Sequence, residues 1–439
     1  MPELYTPLCI QDAHGLHVNT GVLVEDGLIV AMGPIAEMSS KHPGAQRVDW
    51  SNFAMIPGGI NAHNHSFQSL LRGIATDEPF LTWRDQALYR YSPRLDAEAL
   101  YAGALLAFGE MLTCGATTVA DFFYIHAGHN DNDRAIIAAA RDLGMRIVLA
   151  RTMYDWSGAP QTYRESVEQA VANTRALALE FRGDPFVDVH PAPHSPHAAS
   201  PAMIQAGHRL AQELDTPFHI HVAEEMFEVE ETLRDHALRP VHYLDSLGVV
   251  DERMIAIHLV WLEQEEIALL GSRRAGLAYC PSSNMFLADG VTRLPDLRRA
   301  GVRVGLGTDG ACSNNRTSVF EEMRMAALLQ KVSRLDATCI SAADTFAMGT
   351  ADGADLLRLK TGRIAPGYAA DFVGLDTGHL TLQPFAPELL RAHIVYGMQP
   401  DAIARVVIAG REIVRDGQIL TVPQSRIRYL VDEAMRRIR

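Results

Sequence analysis

Short apolar runs recur along the middle of the chain, and the stretches between them carry apolar residues at helical spacing. The runs are Met55–His63, Thr117–Phe122, Arg146–Arg151, Phe186–His194, Pro217–Ala223, Met254–His258, Gly276–Cys280 and Val302–Asp309. The intervening periodicity is clearest in Ala97–Leu112, Pro201–Leu214 and Gln264–Ala275. Eight strand-then-helix units over about 300 residues match the size of a (β/α)8 TIM barrel. A doubly wound open sheet is the alternative, but no Gly-x-Gly-x-x-Gly follows an early strand.

The two ends have a different texture. Gly21–Val24 and Leu28–Ala31 flank Glu25-Asp26-Gly27, a hairpin signal. Ala370–Leu375 and Ala404–Ala409 also read as strands, and Asp416-Gly417 marks a turn. Neither end alone can bury a core, so both are expected to pair into one small β-sandwich domain. The expected organisation is residues 1–55 with 362–425 as that composite domain, 56–361 as the barrel and 426–439 as a C-terminal helix.

The chain has 439 residues, 48% hydrophobic and 21% charged, which is ordinary globular composition. Its net charge of −14 argues against binding to nucleic acid or an anionic membrane, both of which favour basic patches. The five cysteines are scattered, with no Cys-x-x-Cys pair and an odd count, against both a cysteine zinc site and a disulfide framework. With no signal-peptide pattern and no apolar run of spanning length, a cytoplasmic location is expected.

In a barrel of this kind, function gathers at the C-terminal ends of the strands. The first run ends in His63 and His65, the fourth in His190 and His194, and the fifth carries His219, His221 and Glu224. The sixth ends in His258 and the eighth in Thr308-Asp309-Gly310. Residues i and i+2 of a strand share a face, so His63 and His65 can converge on one metal ion. Neutral imidazoles with one carboxylate suit Zn²⁺, and also Fe²⁺. Glu224, beyond the strand end, is the natural general acid and base. Asp309 can bind the ion and accept a water proton, and His258 can orient the nucleophile. His219, one layer below His221, reads as a hydrogen-bonded core histidine. The only lysines are Lys41, Lys331 and Lys360, so no barrel strand offers one to bridge two metals or form a Schiff base, which favours a single divalent ion.

Pro57–His65 resembles the opening motif of the amidohydrolase superfamily. His221-Val222-Ala223-Glu224, Ala256-Ile257-His258 and Gly307-Thr308-Asp309-Gly310 resemble its later motifs. Cys280–Met285 is similar to a segment of the branch holding guanine, 8-oxoguanine, S-adenosylhomocysteine and pterin deaminases, triazine hydrolases and formimidoylglutamate deiminase. The resemblance runs over nearly the whole chain, down to Lys360–Asp371. It implies that His63, His65, His221 and Asp309 hold one metal, with Glu224, His258 and Asp309 as catalytic residues. The implied reaction is hydrolytic loss of an amino group from a planar heterocycle of purine, pterin or triazine type, releasing ammonia. A small molecule is the expected partner, and a homodimer or larger homo-oligomer the expected assembly.

Substrate contacts are expected from Gln68, Arg84, Tyr124 and His194. Gln68 matches a substrate-contacting position of the 8-oxoguanine and formimidoylglutamate enzymes. Thr82-Trp83-Arg84 and Phe122-Phe123-Tyr124 resemble the latter, where the arginine and tyrosine hold a carboxylate-bearing substrate. Against it, His194-Ser195-Pro196-His197 carries histidine where a second carboxylate-binding arginine would stand. Trp83, Tyr124 and Trp156 offer stacking surfaces for a ring. The alternatives are a formimino or amidine deiminase and a chlorohydrolase-type triazine enzyme. An inactive binding relative would lose ligands, whereas every ligand position is present here.

Overall fold

The computed structural model describes residues 1–438. Two arcs of four parallel strands form the centre of the fold. One arc runs Gly59–Asn64, Ala116–Phe123, Arg146–Met153 and Val187–Pro193. The other runs Phe218–Val222, Met254–His258, Gly276–Tyr279 and Arg303–Leu306. Backbone hydrogen bonds close both seams: His221 N donates to His194 O (2.9 Å) and Asp309 N to His63 O (3.0 Å). The second seam is tight because residue 307 is glycine; a Cβ there would lie 2.8 Å from His63 Cβ and 2.9 Å from its backbone N and O.

Helices separate the strands. Ala97–Thr113 starts where Asp96 accepts a hydrogen bond from Ala99 N, and Pro201–Leu214 starts at the Ser200 cap with proline in its first turn. Pro201–Leu214 buries one face, whereas Ala97–Thr113 is buried on most sides.

The chain ends build a nine-stranded sheet. Strand Glu3–Gln11 pairs in parallel with Gln46–Pro57, which pairs antiparallel with Phe372–Asp376. The hairpin Thr20–Glu25/Leu28–Pro34 turns through Asp26 (φ 51°) and Gly27 (φ 78°), the left-handed pair that Asp-Gly suits. The sheet folds back on itself: a Cβ on Gly410 would touch Val24 at 2.9 Å, and Ile29 N donates to Tyr368 O. Tyr5, Trp50, Met55, Phe372 and Val407 fill the core between its halves. Helix Gln424–Ile438 follows, burying Ile427, Ala434 and Ile438.

Most strand ends lie within two residues of expectation, and two boundaries depart further. The run Met55–His63 is two strands that change sheets at Gly58, with Met55–Pro57 in the nine-stranded sheet. The eighth strand stops at Leu306 rather than Asp309, because Asp309 turns into the left-handed region at φ 58°. No described helix is long and apolar enough to cross a membrane. All five cysteines are free.

Candidate active site

The strand ends bring the expected residues to one mouth. Alternation carries His63 inward within its strand. His65 lies one residue past the strand end, yet its backbone stays extended (φ −128°, ψ 91°), so its ring still converges on His63, with ring centres 4.7 Å apart. His221 joins from the fifth strand, with its ring centre 4.9 Å from that of His63. One nitrogen from each of these three rings lies within 4.8 Å of the other two, and Glu224, His258 and Asp309 form a second such trio. The trios share one space: Asp309 Oδ1 is 3.3 Å from His65 Nε2 and 3.5 Å from His63 Nε2.

Ala223 (φ 51°), His258 (φ 72°) and Asp309 (φ 58°) all adopt the left-handed conformation at strand ends. For residues with a Cβ this costs roughly 1–2 kcal/mol each. Such strain clusters at functional sites. The turn at Ala223 swings Glu224 towards His258, whose Nε2 is 3.2 Å from Glu224 Oε1.

Neighbours fix three of the four rings. His65 Nδ1 faces Phe122 O (2.6 Å), and His221 Nδ1 faces His194 O (3.2 Å). His258 Nδ1 faces Asn284 Nδ2 (3.0 Å). Asp309 Oδ2 accepts from Ser283 Oγ (2.6 Å) and Ser313 Oγ (3.0 Å), and Oδ1 from Gly310 N (2.7 Å). Asp121 ties down the His-Asn-His turn, accepting from Asn64 Nδ2 and from Ser66 N and Oγ.

Burial sets the charges. It pushes His65 down to about 4, helped by His63, and His258 down to about 3. It also pushes His221 well below the usual histidine range. These rings are therefore neutral, with lone pairs available. Burial opposes the charge on Asp309, but His63, whose Nε2 lies 3.5 Å from Oδ1, and the imidazoles of His65 and His258 outweigh it and hold the carboxyl well below the usual range. Glu224 goes the other way: burial first, then Asp289, Glu228 and Asp309, raise it well above a normal glutamate.

Above these residues opens a cavity. Gln68, Arg84, Tyr124 and His194 all line it. Gln68 Nε2 reaches Tyr124 OH at 3.4 Å, while its Oε1 is buried without a partner. His194 stacks on His221, with ring centres 5.0 Å apart. Arg84 opens a single turn of π-helix, Arg84–Tyr89, and sits at the rim over Tyr89 (4.8 Å), paired with Asp85 (2.8 Å). Trp83, Tyr124 and Trp156 are joined in the wall by Phe80, Tyr89, Tyr154 and Tyr163. His219 lies below, hydrogen-bonded to His190 at 3.1 Å, as a core histidine should be.

Sequence reasoning missed Asn284, Ser283, Ser313 and Asp121. The first three lie in Cys280–Met285 and Gly310–Asn315, and nothing in their spacing indicates which ligand they support. Asp121 is hidden within an apolar strand.

The chain matches the Amidohydrolase family over residues 54–413, and residues 21–45 match a bacterial imidazolonepropionase-like composite domain. It is 35% identical to the 5′-deoxyadenosine deaminase of Methanothermobacter thermautotrophicus over 97% of this chain and 96% of that one. It is 32% identical to the 5-methylthioadenosine/S-adenosylhomocysteine deaminase of Syntrophobacter fumaroxidans over 98% and 94%. The crystal structure of a zinc-bound adenosine deaminase from Xanthomonas campestris superposes with a TM-score of 0.93 at 30% identity, covering 99% of this chain and 98% of that one. The zinc complex of atrazine chlorohydrolase from Arthrobacter aurescens TC1 shares the fold, with a TM-score of 0.91 at 22% identity and coverage of 99% and 100%. The four strand-end motifs, the barrel that brings them together and the match over residues 54–413 point one way: the chain belongs to the amidohydrolase family.

Proposed function

We propose that this chain is a mononuclear metal-dependent aminohydrolase that replaces the exocyclic amino group of an adenine-type base by oxygen and releases ammonia. One observation carries the metal reading: both ring nitrogens of His63 are buried without a hydrogen-bond partner, between two neutral imidazoles and an ionised Asp309. Such orphaned nitrogens are costly unless something occupies the space they face. His63, His65, His221 and Asp309 would hold the ion. Zinc fits this donor set, with iron as the alternative. The absence of lysine from the barrel strands supports a single ion.

A bound ion supplies Lewis acidity, making water a nucleophile near neutral pH. The side chains do the rest. Glu224, with its raised proton affinity, takes a proton from water and passes it to the ring nitrogen beside the attacked carbon, then serves the departing amine. Asp309 accepts the remaining hydroxyl proton. His258 donates from Nε2 and holds the nucleophile in line. Gln68, Tyr124 and His194 would position the base, with Tyr124 and Trp156 as stacking faces.

The relatives that act on adenosine-type nucleosides support an adenine base over a pterin or triazine. A proton donor beside the nucleophile also suits an amine leaving group, whereas a halide leaves without one. The second reading is a deiminase for a carboxylate-bearing amidine, favoured by Arg84 at the cavity rim. We place the enzyme in the cytoplasm, consistent with five free cysteines. We also propose a homo-oligomer, for which the exposed Leu328, Val332 and Leu335 offer an apolar face.

The test is ammonia release by zinc-loaded protein over adenosine, 5′-deoxyadenosine, 5′-methylthioadenosine, guanine, aminotriazines and formimino amino acids. Turnover of the adenine nucleosides above the rest is expected. Turnover of a formimino amino acid alone would replace this reading by the second.

A further inference from the structure

On the cavity wall, Nδ1 of the half-buried His197 and the buried carboxyl of Glu228 face each other without closing a hydrogen bond. His197 lines the cavity, and its Nδ1 lies 3.8 Å from Glu228 Oε1. That nitrogen and both carboxylate oxygens of Glu228 are buried with no hydrogen-bond partner among the described residues. The Glu228 side chain is only 2% exposed. Elsewhere on the wall the polar groups are largely engaged. Tyr124 holds Gln68, Tyr89 holds Tyr154, His194 Nδ1 holds Ser195 Oγ, and Arg84 is paired with Asp85. His197 Nδ1 and Gln68 Oε1 are the exceptions.

The place of His197 is defined by a chain of rings. His221, at the metal-ligand cluster, stacks on His194 at 5.0 Å, and His194 meets His197 edge-on at 5.9 Å. His197 therefore stands two ring steps from the reacting end. A base whose amino-bearing carbon sits at the cluster would direct its glycosidic substituent to this distance.

We infer that His197, oriented by Glu228, is a specificity-determining residue that hydrogen-bonds the 2′- or 3′-hydroxyl of the nucleoside substrate. The inference rests on the adenine-nucleoside reading above and names the part of the substrate beyond the base. Glu228 engages Nδ1 and fixes the tautomer, which leaves Nε2 at the cavity face for a hydroxyl. Burial and the nearby Arg84 charge push His197 down to about 4, which suits a neutral hydrogen-bonding ring and not a cation for a carboxylate. Glu228 acts through His197 and is a positioning residue. Burial pushes its carboxyl up to about 8, and contact with His197 offsets part of the cost of burying it once substrate draws the pair together.

The experiment compares kcat/KM for 5′-deoxyadenosine, 2′,3′-dideoxyadenosine and free adenine in the zinc-loaded wild type and in His197→Phe, His197→Gln and Glu228→Gln. The wild type should prefer 5′-deoxyadenosine over the dideoxy compound by at least tenfold, mainly through KM. His197→Phe should erase most of that preference, and His197→Gln, which keeps an acceptor oxygen, should restore part of it. Glu228→Gln should weaken the preference less than His197→Phe. An unchanged preference in His197→Phe, or an equal loss with free adenine, would overturn the inference. If His197→Phe does not fold, an absent hydroxyl preference in the wild type and His197→Gln overturns it alone. In each of these cases the adenine-nucleoside reading survives, because wild-type ammonia release still stands. No release from any nucleoside would remove both.

Discussion

His258 and Glu224 meet across the mouth of the site, Nε2 to Oε1 at 3.2 Å, with both side chains buried. The contact has a direction. Asn284 Nδ2 donates to His258 Nδ1 at 3.0 Å, and burial keeps the ring neutral, so Nε2 carries the hydrogen and donates. Asn284→Leu removes that control at nearly constant volume. Loss of one such orienting partner typically costs ten- to a hundredfold. We expect kcat to fall by about that much while metal content by elemental analysis stays near the wild-type value; an unchanged kcat would remove Asn284 from the positioning role.

Glu224→Gln keeps the shape of the side chain and removes the proton carrier. General acid–base catalysis contributes about 10²–10⁴-fold, and kcat should fall by that order. Retention of metal in the same preparation separates this from a ligand defect. Near-normal ammonia release would refute the assignment.

Asp309→Asn removes the carboxylate that Ser283, Ser313 and Gly310 hold in place. Both metal and activity should be lost, and excess zinc should restore little. In the wild type, a chelator should lower the melting temperature and added zinc restore it. An ion at about a hundred times its Kd adds roughly 2.7 kcal/mol of stability. A melting temperature indifferent to the chelator would count against a bound ion.

Arg151 is fully buried and pairs bidentately with Glu165, with Nη1 and Nη2 at 2.8 and 3.0 Å. Its Nε bonds Asn130 and lies 3.5 Å from Asp133, which also meets His126. Arg151→Met leaves two buried carboxylates without a cation and should cost about 3–5 kcal/mol. The pH dependence follows. Burial opposes the charge on Asp133 and Glu165, but His126 and Arg151 outweigh it and lower both. A carboxylate lowered in the folded state contributes stability that is full above its unfolded pKa and lost as pH falls through the folded one. The share of stability from these two carboxylates should thus hold down to about pH 4, and the deficit of Arg151→Met should be largest near neutral pH and shrink once the carboxylates protonate. Circular dichroism across that range checks both.

Arg84→Met separates the two substrate readings. With adenine nucleosides kcat/KM should change by no more than a few-fold, because Arg84 is already paired with Asp85 at the rim. A large loss confined to a carboxylate-bearing amidine would favour the deiminase reading.

The alternation of apolar runs and helical stretches already specified a barrel, because strand and helix periods are local properties of the chain. Its strand ends named His63, His65, His221, His258 and Asp309, since barrel function sits at one end by construction. Local pattern could not reveal that the run Met55–His63 divides at Gly58 between two sheets, for both halves are equally apolar. Nor could it show the left-handed turns at Ala223, His258 and Asp309 that aim the side chains, since backbone strain is held by surrounding packing. Asn284 and Asp121 became visible only when segments distant in sequence met. The His197–Glu228 contact likewise needs a loop after the fourth strand to meet a helix after the fifth. The sequence by itself determined which chemistry is present. Tertiary structure decided the charge state of each group and which neighbour holds it, because both depend on burial and on contacts that no sequence window contains.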